Sequence, residues 1–168
     1  MNSTIYIAIS ILVFLILFSM AISYINQKKK KREQKKLLKE FENFAIKNHL
    51  SIDKKQELRQ SMIGIDRLNL RFVFLNNRTI PASFHVIKLK DISTCRLIKQ
   101  KNLPTGHISH IFLKFTFKQK SLPDINISFY DALHDDIFKM MRLSKEASYW
   151  EKRVNIFRQT AVLSEQNV

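Results

Sequence analysis

The first 27 residues carry no charged side chain. Within them, Ile5 to Ile25 forms a 21-residue apolar run in which only Ser10, Ser19 and Ser23 are small polar interruptions. As a helix this run measures about 31 Å, close to the ~30 Å hydrocarbon core of a bilayer. Its hydroxyls can bond back to carbonyls one turn earlier. Tyr6 and Tyr24 stand near its two ends, where interfacial aromatics lie. A cleaved secretory signal needs a positive leading segment and a shorter apolar stretch. Ser19-Met20-Ala21 would serve as its cleavage site, but no basic side chain precedes the run. The expectation is a transmembrane anchor over residues 1–27.

The next segment sharpens that expectation. Lys28, Lys29, Lys30, Lys31, Arg32, Lys35 and Lys36 are basic and only Glu33 is acidic. Positive flanks stay on the cytoplasmic side of a membrane. The chain is therefore expected to be a single-pass protein of the inner (plasma) membrane, N-terminus outside and C-terminal domain cytoplasmic. The same seven side chains are candidates for contact with anionic lipid headgroups, at about 1 kcal/mol per basic residue. The formal net charge of +15 partly reflects a Lys-, Ile-, Asn- and Phe-rich composition of the kind an A/T-rich genome encodes. Nucleic acid is not an expected partner. The single cysteine, Cys95, excludes an internal disulfide and is expected to be a reduced thiol.

Residues 28–50 are expected to form a basic amphipathic juxtamembrane helix. Leu37, Leu38, Phe41, Phe44 and Ala45 make one apolar stripe against a polar face of Lys35, Lys36, Lys39, Glu40, Glu42, Asn43 and Lys47. Leu37, Phe41 and Phe44 are candidate partner contacts. The alternatives are that the stripe packs on its own domain or lies on the membrane. It is too short for a sustained coiled coil.

From Met62 the apolar period changes to two. Met62–Asp66 and Leu70–Leu75 read as a hairpin turning at Asp66–Asn69. A strand follows at Phe84–Leu89, and another at Thr94–Lys99 after a break at Asp91–Ser93. Asn102–Gly106 is a loop. Ile111, Leu113, Phe115 and Phe117 then alternate with Phe112, Lys114, Thr116 and Lys118, and Ile125, Ile127 and Phe129 alternate with Asn126, Ser128 and Tyr130. Asn48–Leu58 is polar and has no assignment. The chain ends in an amphipathic helix that Asp131 can cap, with Ile137, Met140, Met141, Ser144, Ala147, Trp150, Val154 and Phe157 on its stripe. Residues 161–168 are expected to be a tail.

Six or seven short strands and one closing helix resemble the bacterial pleckstrin-homology-like (PH-like) domains that are often joined to membrane spans. The residues carrying the likeness are Ile63-Gly64-Ile65-Asp66, Leu89–Cys95 with its Asp91-Ile92-Ser93 corner, Ile127–Asp131, and Ala147 with Trp150. The resemblance covers Ser61 to Thr160, roughly 100 residues, within an expected cytoplasmic domain at 51–160. It implies an N-terminal transmembrane helix followed by a mainly-β domain, an antiparallel PH-like barrel of six or seven strands closed by a C-terminal α-helix. It implies no catalytic residue. The Asp66–Asn69 loop, with one Arg beside an Asp, lacks the basic cluster of phosphoinositide-binding members.

Motifs for chemistry are sparse. Two glycines, Gly64 and Gly106, exclude a Gly-rich phosphate loop. His107 and His110 fall on opposite faces of a strand, the wrong geometry for two ligands of one metal. Asp131, His134, Asp135 and Asp136 are explained by capping without a metal. No cofactor is expected. Phe112, beside Lys114 on the polar side of its strand, is a candidate contact for a protein partner. The function expected is a membrane-anchored, non-catalytic PH-like interaction module that binds membrane lipids and an unidentified protein. The alternatives are an accessory subunit of a membrane complex, held through the span and the Leu37/Phe41/Phe44 stripe, and a small enzyme.

Overall fold

The structure, a computed structural model, describes the backbone of residues 2–59, 61–76, 83–103 and 106–166, and the side chains of these from residue 13 to residue 163. The chain divides into two compact units, residues 1–40 and 41–168. Helix α1 runs from Asn2 to Lys47. Within the first unit, Lys28, Lys29, Lys30, Lys31, Arg32, Lys35 and Lys36 are all exposed on this helix. Lys36 lies 3.9 Å from Glu40, one turn on.

The expected membrane anchor is corrected here. Among the described residues, no helix is long and apolar enough to cross a membrane. The side chains of Ile5–Leu12 lie outside the described residues. The transmembrane helix, the N-outside orientation and the inner-membrane location are withdrawn together.

The second unit begins with the last turns of α1. The helix stops at Lys47 because His49 turns into the left-handed region (φ 52), which returns the Leu50 N–H to the Ala45 carbonyl at 2.9 Å. Seven strands follow: β1 Ile52–Leu58, β2 Ser61–Asp66, β3 Arg71–Asn76, β4 Ser83–Lys88, β5 Ile92–Lys101, β6 Ile108–Phe117 and β7 Ile125–Asp131. Helix α2, Ile137–Gln166, closes the described chain. The hairpin expected at Asp66–Asn69 is present, with Met62 opposite Leu75 and Asp66 opposite Arg71. Asp66 is fully buried, and its carboxylate accepts the Asn69 N–H at 3.0 Å, the Asn69 side-chain amide at 2.7 Å and the Ser51 N–H at 3.2 Å. Of the loop expected at Asn102–Gly106, residues 104 and 105 lie outside the described residues.

The closed barrel is also corrected. The strands form two antiparallel sheets, β1-β2-β3-β4 and β5-β6-β7, joined through a single 3-10 turn at Leu89–Asp91. Ile63, Ile65, Phe72, Phe74, Leu113, Phe115, Ile127 and, from α2, Trp150 and Val154 fill one core. No ladder joins β5 to β4, because the free edge of β5 is occupied by side chains of α2. The Leu97 N–H donates to Glu151 Oε1 at 2.7 Å, Asn155 Nδ2 donates to the Cys95 carbonyl at 2.9 Å, and Arg158 donates to the Ser93 carbonyl. Ser93, Cys95 and Leu97 share one strand edge by the two-residue period, and Glu151, Asn155 and Arg158 share one helix face. Edge groups that would otherwise recruit another strand are thereby satisfied within the chain.

The outer face of the four-stranded sheet is covered as well. Every residue of β2 is buried, so both of its faces are packed. Phe41 lies against Gly64, and Phe44 stacks on Phe84 with ring centroids 4.0 Å apart. Met62, Val73 and Leu75, which point away from the main core, are buried too.

Candidate functional site

The turn between β7 and α2 gathers the polar residues that most resemble a chemical site. Asp131 accepts the Leu133 N–H on Oδ1 at 3.0 Å, and its carbonyl accepts the N–H groups of His134 and Asp135. Asp135 Oδ2 accepts the Asp131 N–H at 3.0 Å, and Asp136 Oδ1 accepts the Phe138 N–H at 3.0 Å. The carboxylate at the start of α2 is therefore that of Asp136, five residues later than the cap expected at Asp131. His110 Nε2 stands 3.4 Å and His134 Nε2 3.9 Å from the Asp131 carboxylate. Among the described residues, no group of three or more His, Cys, Asp and Glu side chains is placed to hold a metal.

His110 Nδ1 lies 3.2 Å from Ser109 Oγ, which completes a Ser-His-Asp sequence of contacts. Its polarity is wrong for nucleophilic activation. The Ser109 hydroxyl gives its proton to the Gln100 carbonyl at 3.2 Å, so it turns lone pairs toward the imidazole. Activation needs the imidazole to accept that proton. Beside these residues lies an open cavity of about 640 Å³, whose lining includes Lys101, Leu103, Ser109, His110 and Leu133.

Cys95 is equally unsuited to chemistry. Burial, reinforced by the neighbouring Glu151 carboxylate and opposed by Arg158, pushes its thiol from 9.0 up to about 12. A thiol so far above neutral pH carries almost no thiolate.

Phe41 and Phe44, offered above as partner contacts, are spent within the second unit on Gly64 and Phe84. Leu37 lies on α1 one turn before Phe41. Phe112 is partly exposed on the outward side of its sheet, opposite Ile98 on β5 and Ser128 on β7.

The most open apolar surface belongs to α2. Its inward stripe is Met140, Leu143, Ala147, Trp150, Val154, Phe157 and Ala161, all in or against the core. Trp150 is fully buried and its indole N–H donates to Gln56 Oε1 on β1. On the opposite side, at about 100° per residue, Phe138, Met141, Tyr149, Ile156 and Leu163 fall within about 80° of one another. These five range from 43% exposed at Tyr149 to 89% at Phe138. Met141, placed on the inward stripe by the sequence reading, belongs to this outward one at 68% exposed, and Ile137 is also exposed.

Along α2, Arg142, Lys145 and Lys152 lie on or beside the outward stripe, and Lys54 of β1 stands 5.2 Å from the ring of Tyr149. Arg142 pairs with Glu146, whereas Lys145 and Lys152 carry no ion pair among the described residues. Of the two described acidic side chains of α2, Glu146 is shared between Arg142 and Gln56 Nε2, each at 2.5 Å, and Glu151 holds the β5 edge. Arg153 pairs with Asp53, and its guanidinium lies 5.9 Å from the Tyr149 ring and 5.4 Å from the Phe157 ring. The outward stripe escaped the sequence reading because one helix carries two apolar faces. The seven-residue recurrence of Tyr149, Ile156 and Leu163 was the available signal.

Compared with known proteins, the chain matches no protein family, no curated protein and no solved structure.

Proposed function

We propose that the chain is a non-catalytic interaction module that binds a protein through the outward face of α2. One observation carries this reading. Five large apolar side chains lie exposed along about seven turns of the helix, while the opposite face of that helix is already committed to the core. A helix with one face anchored presents the other without an ordering cost, which favours association.

Site-specific photo-crosslinking tests the proposal. A photoreactive phenylalanine analogue at Ile156 is expected to give one adduct with a protein identifiable by mass spectrometry. The same analogue at Lys118, at the end of the β6–β7 hairpin, is expected to give none. Equal adducts from both positions, or none from Ile156, would argue against the docking face.

A further inference from the structure

Resting on that docking reading, we infer that the partner is an acidic amphipathic helix with two carboxylates seven residues apart on its apolar stripe. The charges along α2 select such a partner. Lys145 and Lys152 sit within the outward stripe, between Phe138/Met141 and Ile156, and neither has an ion pair among the described residues. Seven residues separate them, a rise of about 10 Å, so a parallel or antiparallel helix laid along α2 meets both with acids at the same interval.

Two other occupants fit less well. A second copy of this chain would bring another face with the same two lysines, on a protein whose formal net charge is already +15. A lipid surface favours helices whose cations lie opposite the apolar stripe. Here two ammonium groups stand in its middle, where entry into acyl chains would drag them along. A facing helix instead offers a carboxylate at each lysine and apolar side chains between.

The test uses the full chain and three probes. The first is an amphipathic helical peptide with Glu at two stripe positions seven residues apart. The second replaces both Glu by Gln, and the third replaces both by Lys. Affinities are measured by fluorescence anisotropy, and vesicles of phosphatidylcholine and phosphatidylglycerol are assayed in parallel by sedimentation. The Glu peptide is expected to bind about tenfold tighter than the Gln peptide, an advantage that shrinks with added salt. A chain carrying Lys145→Glu and Lys152→Glu is expected to reverse the preference and choose the Lys peptide. Both positions are exposed, so the circular-dichroism spectrum should be unchanged. Equal binding of Glu and Gln peptides would overturn the acidic partner while leaving the docking face intact. Sedimentation with vesicles and no peptide binding would overturn both. Failure of all three peptides would overturn the inference alone, since the crosslinking at Ile156 needs no designed peptide.

Discussion

Phe41 and Gly64 fit each other through the absence of one carbon: a Cβ on Gly64 would lie 2.8 Å from Cζ of Phe41 and 3.1 Å from Cγ2 of Ile52. The end of α1 approaches β2 this closely because the strand presents a bare backbone at that point. Phe41 is 1% exposed, so its ring can yield only by shifting within its packed surroundings. Gly64→Ala is expected to destabilise the protein by about 1–2 kcal/mol through overpacking. Phe41→Leu in the same chain should recover part of the loss, giving a favourable coupling of at least about 0.5 kcal/mol in a double-mutant cycle. Urea denaturation measures both. A Gly64→Ala protein as stable as the parent would contradict the close fit.

Cys95 links burial to pH. Its folded thiol is raised to about 12 from 9.0. Above pH 9 the unfolded chain releases this proton while the folded chain keeps it. The contribution is therefore fully present below pH 9 and is lost as the pH climbs toward 12. Stability measured by denaturation should fall over that interval, and fall less in Cys95→Ala. At pH 8 a disulfide reagent should leave the native thiol unmodified and react with it only after denaturant is added. Rapid labelling of the native protein would contradict the buried, protonated thiol.

The helix-to-strand latch makes a residue-specific prediction. Glu151→Ala leaves the Leu97 N–H without its acceptor, at a cost of about 1.5–3 kcal/mol for a charge-assisted bond. Asn155→Ala leaves the Cys95 carbonyl open, at about 1 kcal/mol. In hydrogen exchange, the Leu97 amide should lose protection in Glu151→Ala and retain it in Asn155→Ala. Loss at Leu97 in both variants, to the same degree, would mean that the latch acts only through global stability.

The start of α2 allows a direct comparison of carboxylates. Asp136→Ala removes the acceptor of the Phe138 N–H at the helix start and should cost about 1 kcal/mol. Asp136→Asn, which keeps an acceptor oxygen, should cost less. Equal losses for the two substitutions would contradict the capping role.

β6 and β7 were legible because their apolar residues alternate, as Leu113, Phe115 and Ile127 do, whereas β2 and β3, buried on both faces, read as short apolar runs. β1 did not, because Ile-Asp-Lys-Lys-Gln-Glu-Leu carries charges on both sides of an edge strand. Its contact with α2 is polar, through Gln56 to Trp150 and Asp53 to Arg153, and polar contacts leave no hydrophobic period. The cap of α2 was misplaced for a related reason. Asp131, Asp135 and Asp136 are chemically alike, and only the turn geometry decides which of them meets the first helical N–H groups. The free edge of β5 was beyond sequence reading altogether, since Glu151, Asn155 and Arg158 find Leu97, Cys95 and Ser93 from more than fifty residues away. The docking surface was half legible. Phe138, Tyr149, Ile156 and Leu163 are plain in the sequence, but a helix apolar on two faces hides which one is free.

Helix α2 holds the fold with its inward face, and its outward face is proposed to bind a partner. The most direct measurement is one variant, Phe138→Ser with Ile156→Ser and Leu163→Ser, scored at once for urea stability and for the adduct formed by a photoreactive analogue at Met141. The account predicts stability within about 0.5 kcal/mol per substitution and loss of the adduct, whereas Val154→Ala alone should cost about 1–3 kcal/mol. A triple variant that unfolds, or one that folds and still forms the adduct, would contradict it.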